Sequence, residues 1–434
     1  MRYVTTRGEA PAVSLEWALF DGLAPDGSLY VPETIDCWSP AEIQSLHGRS
    51  LQAIGVRVLS PYTAGEIAPD ALDRLVGDAL NFPVPLREVE PGVHALELFH
   101  GPTLAFKDIG ARVMARLISA LHDQGAPTSV LVATSGDTGS AVAHAFYRVP
   151  HTRVIVLYPQ GRVSRQQQAQ MTMFNAEPET NVRAYAVDGS FDDCQRLVKA
   201  ASADADVLAR VRVTSANSIN IGRLLPQMVY YFHGVAQLGP DLRPPIVSTP
   251  SGNFGNLTAG LMAKRAGLPI ARFVAATNVN DVVPLYLATG RFEPRPSIQT
   301  IATAMDVGQP SNFDRMLWMY GQSVEAMRRD VAGSRHEDAE VAETIRRVYE
   351  TRGYLLDPHS AIGYLGLIQA GVDFRRTPGI FLATAHPAKF HEVVESIIGR
   401  PILKPPALAD ALARPQQILR IPASLDAVKE RLFE

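Results

Sequence analysis

Cysteine is scarce in this 434-residue chain: Cys37 and Cys194 are the only two, far apart and without metal-ligand spacing. That excludes a disulfide-built scaffold and a cysteine metal cluster, and fits unpaired thiols in a reducing compartment. Long apolar runs are missing as well. No stretch approaches the length of a membrane span, and residues 1–8 (MRYVTTRG) lack the apolar core of a signal peptide. Charge of one sign is also missing. The net charge is -3 and no acidic or basic tail occurs, so no electrostatic grip on nucleic acid or an anionic membrane is expected. What is present is 46% hydrophobic and 20% charged residues, the composition of a globular protein large enough for two or three domains. A cytoplasmic location is expected.

Residues 1 to about 80 read as short helices and loops, with helices expected at 15–20, 40–46 and 69–80. The polar cluster Thr5-Thr6-Arg7-Gly8 is either a contact site or a frayed start. From about residue 127 the pattern becomes strand, loop, helix, repeated. Strands are expected at 128–133, 154–158, 182–187, 211–214, 246–249, 272–276 and 379–384. Helices are expected at 105–121, 140–147, 164–174, 191–202, 221–238 (kinked at Pro226), 257–266, 317–331 and 338–352. Short apolar strands alternating with helices indicate parallel sheets covered on both faces. The expected fold is therefore α/β, with two parallel or mixed-sheet α/β domains, at about 125–240 and 245–400, and a cleft between them.

Within HGPTLAFKDIGAR, residues 100–112, Lys107 falls in the first turn of a helix, where a cation is disfavoured. It is either a surface lysine paired with Asp108 or an amine ready to lose its proton and attack a carbonyl. Open α/β sheets bind ligands where strands run out into loops, and three such loops are unusual. Ser251-Gly252-Asn253-Phe254-Gly255-Asn256 can converge its N–H groups on an anion, or be only a tight strand-to-helix turn. It lacks the lysine of a Walker loop and the spacing of a dinucleotide fingerprint. Thr134 to Gly139 (TSGDTG) can hold a carboxylate through its N–H groups, Ser135 and Thr138, or simply cap a helix. Thr384 ends a buried strand with a neutral hydroxyl, free for a heterocyclic nitrogen or bonded to backbone. An amine, an anion cradle without a metal motif and a strand-end hydroxyl are together what pyridoxal phosphate needs.

HGPTLAFKDIGAR, TSGDTGSA, NSINIGR, SGNFGN, DPHSAIG and ATAHPAKF, with the opening RYVTTRG, occur in an order that resembles the threonine synthase family, in its longer bacterial and fungal form. The likeness runs from residue 2 to 390. It implies the tryptophan-synthase-β-like fold (PLP fold type II) plus an N-terminal accessory domain. The implied division is 1–82 accessory, 83–126 with 240–434 as the larger cofactor-binding domain, and 127–239 as the smaller one. It implies catalysis by Lys107 as the Schiff-base lysine, with cofactor contacts from Asp137, Gly252, Asn253, Phe254, Gly255, Asn256 and Thr384. Substrate contacts are implied for Ser135, Gly136, Thr138, Asn217, Ser218, Asn220 and Arg223, the last matching a substrate phosphate. Many related enzymes have asparagine where Asp137 stands. The implied reaction turns O-phospho-L-homoserine and water into L-threonine and phosphate by β,γ-elimination and hydration. No metal, nucleic acid or membrane is expected as a partner, and the chain would be a monomer or homodimer. Rival readings are a phospholyase of the same fold, releasing a keto acid, and a cofactor-free binding protein.

Overall fold

The structure, a computed structural model, describes residues 1–122, 125, 127–241 and 243–434. The expected boundary at residue 126 lies outside that set. Runs rich in Val, Ile and Leu form strands buried on both faces, and the helices that follow cover them. Near the start, β1 (Tyr3–Thr5) pairs antiparallel with β2 (Tyr30–Pro32). A hairpin of β3 (Leu86–Glu90) and β4 (Val93–Glu97) follows. Next come β5 (Thr128–Ala133), β6 (Thr152–Pro159), β7 (Val182–Asp188) and β8 (Arg212–Ser215). The chain then supplies β9 (Ile246–Pro250), β10 (Arg272–Thr277), β11 (Val331–Arg335), β12 (Gly379–Ala383) and β13 (Leu419–Pro422).

Two larger sheets result. One has the order β11-β10-β9-β12-β4-β3, parallel except for the β3–β4 hairpin. The other, β13-β7-β6-β5-β8, is parallel throughout. Each has an apolar cluster on either face. The N-terminal segment adds its own buried residues, among them Leu19, Ile54, Leu59 and Val76, to the cluster that covers one face of the six-stranded sheet.

Several expectations need correction. The helix expected at 317–331 is two, Phe313–Met319 and Val324–Asp330, because Gly321 and Gln322 take φ of 55° and 63° between them. Val331, expected to end that helix, opens β11. At Pro226 the chain makes a break between Ile221–Leu224 and Gln227–Ala236, since proline carries no N–H to continue the ladder. The helices Leu51–Thr63, Pro358–Ile368 and Leu425–Phe433 were not expected. The division that gives 240–434 to one domain also fails at its end. Pairing of Leu419 with Tyr185 through Pro422 with Asp188 carries β13 into the five-stranded sheet. The opening cluster is anchored, because Arg7 donates to the Asp26 carbonyl at 2.9 Å and β1 is paired.

Candidate active site

In the six-stranded sheet β12 lies between β9 and β4, all parallel, so the loops leaving their carboxyl ends are neighbours. Those loops are 251–256, 384–390 and 98–106, the last leading into the helix Lys107–Leu121. The segments 98–106 and 383–386 are zipped by main-chain bonds. Leu98 N–H donates to Ala383 at 2.9 Å, Phe106 N–H to Thr384 at 2.8 Å, and His386 N–H to Leu104 at 3.0 Å. Thr384 is thus tied to the residue just before Lys107. Leu104 holds a left-handed φ of 61°, a strained state that neighbouring bonds must enforce.

Lys107 is the first residue of its helix and is partly buried, its Nζ 4.9 Å from the Phe106 ring. Among the described residues its amine has no hydrogen bond or ion pair. Asp108 is no partner, because its carboxylate takes the Thr103 hydroxyl at 2.6 Å and the Thr103 N–H at 2.8 Å. Burial pushes the Lys107 amine below its ordinary pKa, Asp137 opposes this, and the charges of Lys389 and Arg223 push it further down. A lysine in that state spends more time as the neutral nucleophile.

The turn after β9 is a cradle. Phe254 adopts a left-handed φ of 58° and caps the helix Gly255–Arg265. Among the described residues, the N–H groups of Gly252, Asn253, Phe254, Gly255 and Asn256 donate to no acceptor. Unpaired N–H groups at a helix N-terminus form an anion site. The Asn256 side chain builds the turn itself, accepting from the Ser251 hydroxyl at 2.7 Å and donating to Pro250 at 2.8 Å. A Cβ on Gly252 would sit 2.8 Å from Met305 Cα and 2.9 Å from the Ala304 oxygen, so backbone alone fits there. Ala304 is held in turn by His359, whose Nε2 accepts its N–H at 3.1 Å while Nδ1 faces Asp357 at 2.6 Å. Thr384 is 5% exposed, and its hydroxyl has no partner among the described residues.

The loop after β5 comes from the other sheet. The Thr134 hydroxyl accepts the N–H groups of Gly136 and Gly139 at 2.9 and 2.8 Å. The N–H groups of Ser135, Asp137 and Thr138 have no acceptor among the described residues. Ser135 is exposed and Thr138 half-buried. Gly136 has φ 140°, and a Cβ there would meet the Gln167 amide at 2.2 Å. Asp137 Oδ1 accepts from Gln167 at 3.0 Å and from Lys389 Nζ at 3.0 Å, while Oδ2 has no partner among the described residues. Burial pushes the Asp137 carboxyl up, but Lys389 and Lys107 outweigh it, and the group lies well below the usual carboxylate range. Lys389 is fully buried and also donates to the Thr103 carbonyl at 2.7 Å.

The 217–223 segment divides between building and lining. Asn217 is spent on Ala133, donating to its carbonyl at 2.8 Å, and Asn220 on Leu19, also at 2.8 Å. Ser218 Oγ accepts from Asn253 Nδ2 at 2.6 Å, joining this segment to the cradle. Arg223 is 4% exposed, donates to the Ala216 carbonyl at 2.6 Å, and leaves Nε without a partner. Burial lowers its pKa to about 10. Lys389, Asp357, His359 and Gln167 stand outside the expected site residues. Lys389 did carry a signal: a cation between Ala388 and Phe390, just beyond a buried strand.

A cavity of 640 Å³ behind the Gly101–Leu104 stretch, lined by Glu97, His100, Tyr354 and His386, takes in neither Lys107 nor the cradle. The unpartnered amine, the row of free N–H groups and the unpartnered Thr384 hydroxyl instead match an aldehyde, a phosphate and a ring nitrogen. They fit pyridoxal phosphate.

Similarity to known proteins covers the whole chain. Residues 83–378 match the pyridoxal-phosphate dependent enzyme family, residues 2–80 the threonine synthase N terminus, and residues 360–431 the threonine synthase C-terminal family. Threonine synthase of Serratia marcescens is 41% identical, over 100% of this chain and 99% of its own. The crystal structure of threonine synthase from Escherichia coli superposes with a TM-score of 0.92 at 39% identity, covering 100% of this chain and 99% of that one. That of the pyridoxal-phosphate-bound threonine synthase from Brucella melitensis gives 0.94 at 37% identity, covering 100% and 98%. Two α/β sheets with an N-terminal accessory segment, a lysine at the meeting of their loops and relatives matched end to end lead to one conclusion: the chain belongs to the threonine synthase family, and is a pyridoxal-phosphate-dependent lyase.

Proposed function

We propose that this enzyme converts O-phospho-L-homoserine and water to L-threonine and phosphate, with Lys107 as its catalytic residue. The observation that carries the reading is the Lys107 amine, unpartnered, depressed in pKa and set between the loops of two sheets. Bound pyridoxal phosphate supplies an electron sink conjugated to the substrate amine. Lys107 is the residue to hold its aldehyde, and the turn 252–256 its phosphate. Thr384 offers the ring nitrogen a neutral hydroxyl. Asp137, kept ionised by Lys389, offers Oδ2 to the ring hydroxyl. The N–H groups of Ser135, Asp137 and Thr138 suit the substrate carboxylate, and Ser218 and Arg223 its phosphate. The same amine, when neutral, takes the proton from Cα and returns one during the β,γ-elimination and hydration.

Asn217, Asn220 and Asn256 hold these groups in place through the bonds described above. We place the enzyme in the cytoplasm as a monomer or homodimer. It has an accessory domain at 1–82, a larger domain from 83–126 and 240 onward, and a smaller one at 127–239 joined by the last strand and helix.

Incubation with pyridoxal phosphate and O-phospho-L-homoserine, assaying threonine, keto acid and phosphate, tests the reading. Equal threonine and phosphate are expected, and Lys107→Ala is expected to abolish both with the fold intact. Phosphate accompanied by keto acid would assign a phospholyase instead.

A further inference from the structure

Arg315 is 0% exposed, the most enclosed kind of site for a residue that cannot shed its charge near neutral pH. Its four hydrogen-bond acceptors are all neutral. Nε donates to the Tyr30 carbonyl at 3.0 Å and Nη2 to the Ile219 carbonyl at 2.6 Å. Nη1 donates to the Ser218 carbonyl at 3.2 Å and to Asn312 Oδ1 at 2.6 Å. Among the described residues no carboxylate forms an ion pair with it, and exposed Asp314, within electrostatic reach, offsets its burial only in part. A charge taken out of water with so weak a counter-charge keeps a desolvation cost that neutral acceptors repay only in part.

The position of this charge is specific. Asn312, bonded to Arg315, lies with its amide 3.4 Å from where a Gly255 Cβ would be, against the first residue of the cradle helix. The Asn312 N–H donates to the Asn253 carbonyl at 3.3 Å, and Ser218 accepts from Asn253 on the other side. The guanidinium therefore stands one side chain behind the turn 252–256, whose N–H groups have no acceptor.

We propose that Arg315 is a positioning residue whose charge, bonded only to neutral acceptors, is neutralised by a phosphate monoester, that of the cofactor, held in the 252–256 turn. The proposal rests on the reading of that turn as the phosphate cradle. The same fork clasps β2, the 218–219 segment and Asn312, so loss of the clasp must be separated from loss of the charge. Burial lowers the guanidinium to about 9, which leaves it charged at neutral pH.

The test uses the full chain stripped of cofactor, titrated with pyridoxal phosphate and with pyridoxal, which lacks the phosphate. The wild type is expected to prefer the phosphorylated form. Arg315→Gln is expected to lose about tenfold of that preference, the size of one charge-assisted interaction, with pyridoxal affinity unchanged. Arg315→Lys keeps the charge and is expected to keep the preference while its thermal midpoint falls through loss of the fork. Equal weakening of both ligands in Arg315→Gln, or an unchanged preference, would overturn the proposal by leaving only a clasp. Should Arg315→Gln fail to fold, Arg315→Lys decides, because loss of the preference with the charge retained also overturns it. A tenfold change confined to inhibition of the loaded enzyme by inorganic phosphate would move the charge to the substrate side and reject the assignment. A wild type indifferent to the phosphate would instead reject the cradle reading itself.

Discussion

Buried charge is treated differently from one residue to the next in this protein. Asp137 and Lys389 neutralise each other at 3.0 Å, each with further hydrogen bonds. His144 has no such partner: its Nδ1 is buried and unbonded, and burial lowers its pKa from 6.5 to about 4. Burial also takes His386 to about 4, helped by the charge of His100. The unfolded chain binds more protons below about pH 6.5, so the stability these groups contribute is full above that pH. It is lost as pH falls toward 4. For His144 alone the shift corresponds to about 3 kcal/mol. Chemical unfolding between pH 7 and 4 should show this loss, and His144→Leu should reduce it, leaving the part due to His386.

At the scale of elements, the cradle depends on backbone reaching where no side chain fits. Gly252→Ala would press a methyl against Met305 Cα and the Ala304 oxygen. The 303–305 turn cannot yield easily, because the Asp357–His359 pair grips Ala304 from behind. Affinity for pyridoxal phosphate should fall by about tenfold, since the N–H groups lose their common focus. Helix content by circular dichroism should stay unchanged, which separates a displaced turn from a broken fold.

Across the whole molecule, the chain crosses between its two large sheets more than once, and its end returns to the five-stranded one. Ile421, Val428 and Leu432 close the cluster that contains Cys194, which is 0% exposed, whereas Cys37 is exposed. A thiol reagent should label one cysteine in the native enzyme. Removal of residues 415–434 should make the second react, by uncovering the β7 edge and the Cys194 cluster. Labelling of a single thiol in the shortened chain would show that this segment does not seal the sheet. The Lys389–Asp137 pair joins a loop of one sheet to a loop of the other, so motion of one sheet against the other must pivot near it or break it.

Local pattern was enough for the main alternation of strand and helix from β5 to β10, because apolar periodicity and glycine or proline punctuation act within a few residues. It was enough to set Lys107 at a helix start and the 251–256 turn after a strand. Where two local choices were close in energy it failed. Gly321 and Gln322 break a helix that composition favours, and the helix Pro358–Ile368 is absent from the expected set. The identity of partners lay beyond it. Asp108 turned to Thr103 rather than Lys107, and Asp137 found Lys389 some 250 residues away. Asn217 and Asn220, grouped with the substrate-lining residues, spend their amides on Ala133 and Leu19. Periodicity reports which face of an element is buried. What that face meets depends on the strand order that sets β12 between β9 and β4, and strand order is fixed by long-range packing.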